Sequence, residues 1–254
     1  MAAAHPQRRT PVVGAFFDMD KTLIAENSAS VFMRYRYQLG QIGGLDLVKG
    51  VAAYLQYKVG ILDIRSWTRD ALLQFRGQLE ADLAVEAKRC FDEMILHTIY
   101  PEAEALVKLH REAGHVVAIV SGATRFVVEP IAERLGIDHF LYTRLEVQDG
   151  CFTGRVVEPI CFEEGKIYWL QHFIEEQGID LAKSWFYTDS VTDLPLLDLV
   201  GHPVAVNPDP RLYRVAVRRR WPVRFFEPPL VDLGASANDE ARPDESGRAP
   251  ENER

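Results

Sequence analysis

Long hydrophobic runs are missing from this chain of 254 residues. None approaches the ~20 consecutive apolar residues that a membrane-spanning helix needs. Cysteine is scarce: Cys90, Cys151 and Cys161 are odd in number and show no CxxC spacing. Buried or idle thiols in a reducing cytoplasm are the simplest account. An excess of positive charge is also lacking. The formal net charge is -8 and the sequence pI ≈ 5.4, which speaks against a general nucleic-acid binder. The main basic run, Arg218-Arg219-Arg220, is short and reads as a solvated helix end. Met1 to Pro11 carries basic residues, but no apolar signal core follows, and Val12–Phe17 is too short for that role. A soluble cytoplasmic protein is expected, with neither a membrane nor a nucleic acid as partner.

What is present is enough apolar content, 47% of residues, to bury a full core. Val12–Phe17 reads as a first strand. Residues 28–94 then read as helical in four segments, Ala29–Leu39, Leu45–Lys58, Ile64–Phe75 and Asp82–Leu96, each with apolar spacing of helical period. Four helices without a strand between them look like a separate lobe. From Pro101 the pattern changes. A helix to Glu112 with Pro at its first turn precedes a β-branched strand, His115–Val120. A helix Thr124–Leu135, a short strand near Phe140, and a hairpin Leu145–Val157 with Asp149-Gly150 as its turn follow. The alternation continues with a helix Glu163–Gln177, a strand Ser184–Thr188, a helix Asp193–Leu199 and a last strand Pro203–Val206. Such alternation predicts an α/β fold with a parallel sheet and helices on both faces. Residues 1–10 and 230–254 are expected to be disordered tails, the latter from its Ala, Asn, Asp, Glu, Arg, Pro and Ser composition.

The chemistry starts at Phe16-Phe17-Asp18-Met19-Asp20-Lys21-Thr22. Alternate residues of a strand share a face, so Asp18 and Asp20 can point into one site at its carboxyl end. Two adjacent acids beside an apolar core are costly unless a cation or proton relieves them, and Mg²⁺ suits a few carboxylates plus phosphate oxygens. Alone, the fragment reads equally well as a helix N-cap at Asp20 or Thr22. Three more features follow other strands. Ser121-Gly122-Ala123-Thr124 is a phosphate cradle at a helix N-terminus, or an ordinary Ser cap. Lys166 sits in a first helical turn, where the dipole disfavours a cation, which hints at a job there. Asp189-Ser190-Val191-Thr192-Asp193 supplies a second acid pair. A doubly wound sheet would bring all four to one edge.

In that order, Asp18-Met19-Asp20-Lys21-Thr22, Ser121-Gly122, Lys166 and Asp189 to Asp193 resemble the four motifs of the haloacid dehalogenase superfamily. The helical insert resembles the cap of its phosphoserine-phosphatase-like branch. The resemblance covers about Val12 to Phe226 and implies a Rossmann-like doubly wound parallel sheet with an inserted all-helical cap. Residues 11–26 and 98–229 would then be the core and 27–97 the cap. It also implies a Mg²⁺-dependent phosphomonoesterase. Asp18 would be the nucleophile, forming an aspartyl-phosphate, and Asp20 the acid and then the base. Asp18, the Asp20 carbonyl and Asp189 would hold Mg²⁺, with Asp193 in support. Ser121, Gly122 and Lys166 would take phosphoryl oxygens, and Thr22 would orient Asp18. An acid two residues after the nucleophile points to phosphatase or phosphomutase rather than dehalogenase or P-type ATPase. Reading Asp20-Lys21-Thr22 as the ATPase motif would leave Asp18 unexplained.

The chain departs from phosphoserine phosphatases in two places. Its fourth motif reads Thr188-Asp189-Ser190, and Asn27 holds the position of their amine-binding Glu, with Glu26 one residue earlier. The Asp-Ser-x-x-Asp-Leu-Pro-Leu-Leu form and Phe75-Arg76-Gly77 resemble a related bacterial group assigned to histidinol phosphate or other small phosphomonoesters. Arg76 is a candidate for a substrate carboxylate or phosphate, or simply an exposed helix-end residue. Tyr35, Tyr37, Tyr54 and Tyr57 are candidates for the pocket or for the core. His97, His110, His115 and His172 show no ligand spacing. A small polar phosphomonoester is the expected partner. An idle phosphate-binding protein, or a phosphomutase or phosphotransferase, is the alternative.

Overall fold

The computed structural model describes residues 12–58, 69 and 71–229. The expectations placed on residues 1–10 and 230–254, and half of the expected helix Ile64–Phe75, lie outside them. Strand β1 (Gly14–Phe17) leads into helices α1 (Ser28–Gln38), α2 (Gly44–Lys58) and α3 (Glu80–Cys90). After α4 (Pro101–Glu112) come β2 (Val116–Thr124), α5 (Arg125–Leu135), β3 (His139–Thr143), and a hairpin of β4 (Leu145–Gln148) and β5 (Cys151–Val156). The chain continues through α6 (Glu164–Gln177), β6 (Trp185–Thr188), α7 (Leu194–Leu197), β7 (His202–Val206), α8 (Pro210–Arg219) and β8 (Val223–Arg224).

Six strands pair in the order β3-β2-β1-β6-β7-β8, every pairing parallel. Alternation along the strands splits the core in two, as a period of two demands. Ala15, Phe17, Val117, Ile119, Tyr187, Val204 and Val206 face α4 and α5. Phe16, Ala118, Val120, Phe186 and Ala205 face α6, α7 and α8. The chain winds from β1 to β2 and β3 in one direction, then from β6 to β8 in the other. The switch point therefore lies between β1 and β6, where open α/β sheets bind their ligands. No helix among the described residues is long and apolar enough to cross a membrane.

Several boundaries differ from expectation for physical reasons. β2 continues through Ser121-Gly122-Ala123 to Thr124, with a register shift against β3 between Val120 and Thr124. Ser121 therefore lies in an irregular strand end rather than at a helix N-terminus, and α5 starts at Arg125. The helix expected over Asp82–Leu96 is α3, then a π-helical turn Phe91–Ile95 and a 3₁₀ turn Leu96–Thr98. Cys90, Phe91, Ile95 and Thr98 are all buried across this stretch. β8 extends the sheet past β7, the strand expected to be last, and α8 connects the two. Asp209 caps α8, accepting from the Arg211 and Leu212 N–H groups at 2.7 and 2.9 Å, with Pro210 following it. The hairpin turn behaves as its sequence demands: Asp149 and Gly150 both take positive φ, 51° and 77°.

Candidate active site

The first motif is anchored by the sheet. The Asp18 N–H donates to the Tyr187 carbonyl at 2.8 Å, and Phe17 stacks on Tyr187 with ring centroids 4.6 Å apart. The chain then tightens into a loop in which Leu23 N–H donates to the Met19 carbonyl at 2.8 Å and Lys21 takes φ 63°. Met19, Leu23 and Ile24 turn into the core. Asp18 and Asp20, two apart, both line a cavity of about 220 Å³.

Lys166 crosses to this loop from the start of α6. Its Nζ donates to Asp18 Oδ1 at 2.7 Å and to Asp193 Oδ2 at 2.9 Å, and Thr188 Oγ1 donates to the same Asp193 oxygen at 2.7 Å. Burial alone would lower the Lys166 pKa, but the charges of Asp18 and Asp193 and the two hydrogen bonds override it and hold the ammonium well above its ordinary value. Gly165 permits the approach: a Cβ there would stand 1.8 Å from the Ile160 carbonyl oxygen. The Asp189–Asp193 loop is braced by Asp209, whose N–H donates to the Asp189 carbonyl at 2.7 Å and whose Oδ2 accepts from Val191 N–H at 2.8 Å.

Asp20 is held from the insert. Its Oδ2 accepts from Asn27 Nδ2 at 2.9 Å and Ser28 Oγ at 3.1 Å, and its Oδ1 from Ser28 N–H at 3.1 Å. Burial raises the Asp20 pKa to about 7, Asp18 adds to the rise, and the Ser28 hydrogen bonds oppose it. Burial likewise raises Asp18 to about 6, against the pull of Lys166. An acid that titrates near neutrality is suited to both giving and taking a proton.

Among the residues singled out from sequence, Asp18, Asp20, Asn27, Ser121, Gly122, Lys166, Asp189 and Asp193 line this one cavity. Glu26 and Arg76 do not, and Arg76 is exposed. Thr22 is buried outside the lining, and its Oγ1 has no hydrogen-bond partner, so an orienting bond from Thr22 to Asp18 is not present. Asp193 is engaged by Lys166 and Thr188. Ser121 Oγ accepts from Ala123 N–H at 3.2 Å. Tyr35 packs in the core and Tyr37 is exposed. Residues not singled out include Ser28, Thr188 and Asp209, together with Met33, Gly50 and Phe162 in the cavity wall. Asn27-Ser28 at the start of a helical period was a legible cap signal, whereas Thr188 and Asp209 carry no local signal of their partners.

Among the described residues no three acidic, histidine or cysteine side chains gather as a metal cage. Three buried carboxylates, Asp18, Asp189 and Asp193, line the cavity instead, and Asp193 is the one bonded by both Lys166 and Thr188. That all-oxygen set fits Mg²⁺, which takes one or two carboxylates and completes its shell with water and phosphate.

A parallel sheet with paired acids, a buried lysine and a hydroxyl strand end at its switch point defines a hydrolase of a recognisable kind. The haloacid dehalogenase-like hydrolase family matches residues 15–198. The chain is 37% identical over 229 residues, 87% of its length, to an "Inhibition of morphological differentiation protein" from Streptomyces azureus, covering 80% of that protein. It is 34% identical over 218 residues, 84% of its length, to a histidinol-phosphatase from Neisseria meningitidis, covering 98% of that enzyme. A crystal structure of a protein of unknown function from Bordetella pertussis Tohama I superposes with a TM-score of 0.78 at 30% identity, covering 85% of this chain and 99% of that one. The chain belongs to the haloacid dehalogenase-like hydrolase family. Its place there is with the phosphoric monoester hydrolases.

Proposed function

We propose that this enzyme hydrolyses a small polar phosphomonoester, with histidinol phosphate and phosphoserine as the leading substrates, through an aspartyl-phosphate on Asp18. The observation that carries the reading is Lys166 locked between Asp18 and Asp193 in a cavity that also holds Asp20 and Asp189. A buried carboxylate kept beside an ammonium can approach a phosphoryl group whose negative charge the same ammonium offsets. Asp18 attacks phosphorus, the bond from phosphorus to the leaving oxygen breaks, and the Asp20 proton passes to that oxygen. Asp20 then takes a proton from water, the water oxygen bonds to phosphorus, and the bond from phosphorus to Asp18 breaks. Ser121, the Gly122 backbone and Lys166 bind the phosphoryl oxygens.

Asp18, Asp189 and the Asp20 carbonyl are the residues that would hold Mg²⁺. The ion supplies charge neutralisation at the phosphoryl group. We assign residues 27–97 as a cap over a core of 11–26 and 98–229. The backbone pairing of Ala25 N–H with the Thr98 carbonyl, and of Tyr100 N–H with the Leu23 carbonyl, supports these boundaries. The cavity wall supports them too, since Met33, Gly50 and Ala53 come from the insert. The three cysteines are unpaired, as a reducing cytoplasm would leave them.

The test is phosphate release from histidinol phosphate, phosphoserine and a wider panel of monoesters with Mg²⁺, beside Asp18→Asn. Release by the native chain and its loss in the variant is the expected result. Equal activity of Asp18→Asn, or no release from any ester, overturns the proposal.

A further inference from the structure

We infer that Ser28, on the insert, is a positioning residue for Asp20 and fixes which oxygen of that acid carries the transferable proton. The inference rests on the phosphatase reading above. The nucleophile and the acid are held by different parts of the chain. Asp18 is fixed by core residues, through its N–H to Tyr187 and its carboxylate to Lys166. Asp20 is held at its carboxyl end by three donors, all from the first turn of α1 and its cap. Ser28 contributes two of them and is 2% exposed, so water does not replace them.

The arrangement is an N-cap supplied from outside the helix. Asn27, the cap residue in sequence, accepts from Ser30 N–H at 3.0 Å with its Oδ1 and turns its amide to Asp20. The Ser28 N–H, which a helix start leaves without an internal partner, is satisfied by Asp20 Oδ1. Each carboxyl oxygen has about two acceptor positions. Oδ2 receives two donors and Oδ1 receives one, so the open position lies on Oδ1. The proton that goes to the leaving oxygen sits there. The same turn of α1 also brings Ala29 and Ser30 into the cavity wall, and the next turn adds Met33. Proton delivery is thereby tied to the insert standing over the site.

The experiment compares two phosphomonoesters that differ in their need for an acid. An alkyl ester such as histidinol phosphate leaves as a strongly basic alkoxide, whereas p-nitrophenyl phosphate leaves as a stable phenolate. Ser28→Ala should lower kcat on the alkyl ester about tenfold or more, within the span that general acid catalysis supplies, and change p-nitrophenyl phosphate less than about threefold. KM should stay nearly constant, and Ser28→Thr, which keeps the hydroxyl, should restore the alkyl rate. An equal loss on both esters, an unchanged alkyl rate, or a Thr variant as slow as Ala overturns the inference. Asp20→Asn on the same pair separates the two levels. If it shows the leaving-group split and Ser28→Ala does not, only the role of Ser28 falls. If Asp20→Asn shows no split, the acid assignment itself falls.

Discussion

Replacing Lys166 with methionine tests the buried charge network at the centre of the site. Methionine matches much of the lysine stem, so packing is largely kept and the charge is what changes. The ammonium is bonded to two carboxylates at 2.7 and 2.9 Å, and Lys166, Asp18 and Asp193 are 4%, 8% and 3% exposed. Removing one partner of a buried ion pair costs about 3–5 kcal/mol, and here one substitution orphans two acids. The upper end of that range is expected at pH 8. With a urea slope of about 2–3 kcal/mol/M, the unfolding midpoint should fall by about 2 M. The deficit should depend on pH with a definite sign. Asp18 already has its pKa raised to about 6, and losing Lys166 raises it further. A carboxyl whose folded pKa lies above its unfolded one takes up its proton first in the folded state. Stability is then recovered as pH falls through the folded pKa, by up to about 1.4 kcal/mol per pH unit for each such acid. Urea unfolding followed by tryptophan fluorescence at pH 8 and pH 5.5 reads both effects. Adding Asp193→Asn to Lys166→Met removes one orphan charge and should return part of the loss at pH 8. A Lys166→Met protein as stable as the native one at pH 8, or a deficit equal at both pH values, would refute the network.

Gly165→Ala places a methyl 1.8 Å from the Ile160 carbonyl oxygen, so the start of α6 must shift and carry Lys166 with it. A displacement near 1 Å should lower kcat by about 100-fold, and steady-state kinetics showing a native rate would remove Gly165 from the account. His110 gives a pH dependence of stability away from the site. Its Nδ1 meets His115 Nδ1 and its Nε2 meets the Tyr187 hydroxyl, each at 2.8 Å, and burial lowers its pKa to about 4, with His115 adding to the fall. Below the ordinary value of 6.5 the unfolded chain binds a proton that the folded chain refuses, so stability falls as pH drops from 6.5 towards 4, by at most about 3 kcal/mol. His110→Gln should flatten that part of the unfolding-against-pH curve, and an identical acid slope in the variant would show that His110 stays uncharged for no energetic reason.

The parts of the molecule that could be read from sequence are those where a local signal and a buried face coincide. β1, β2 and β6 are short apolar runs with chemistry at their carboxyl ends, and Asp18, Ser121 and Asp189 follow from that pairing. α4 is framed by Pro101 and Gly114, and Asp149-Gly150 writes its own turn. The extension of β2 through Thr124 was hidden because Ser121-Gly122-Ala123 has the composition of a helix cap, and only pairing with β3 decides otherwise. β8 is two residues long, too short for any period to show. The expected use of Thr22 failed for a related reason. A threonine four residues after Asp18 across a tight turn is compatible with a bond back to it, but the loop closing on the Met19 carbonyl turns Thr22 into the interior.

The insert shows where reading stops. Its helical period was plain, yet which of its residues meet the substrate depends on how α1 lies against α2. Gly50 is the clearest case: a Cβ there would stand 2.3 Å from Met33 Cε, so this glycine sets how far Met33 extends across the cavity wall. Nothing in the sequence around either residue names the other. The core half of the site is constrained by parallel pairing on both sides of β1, so four short motifs suffice to locate it. The insert half hangs on Asn27 and Ser28 at Asp20 and on a close helix contact. Chemistry common to many esters is therefore written in the sheet. The wall contributed by α1 and α2 is set by helix packing that a single glycine can alter, and for that reason the family could be read from motifs and that wall could not.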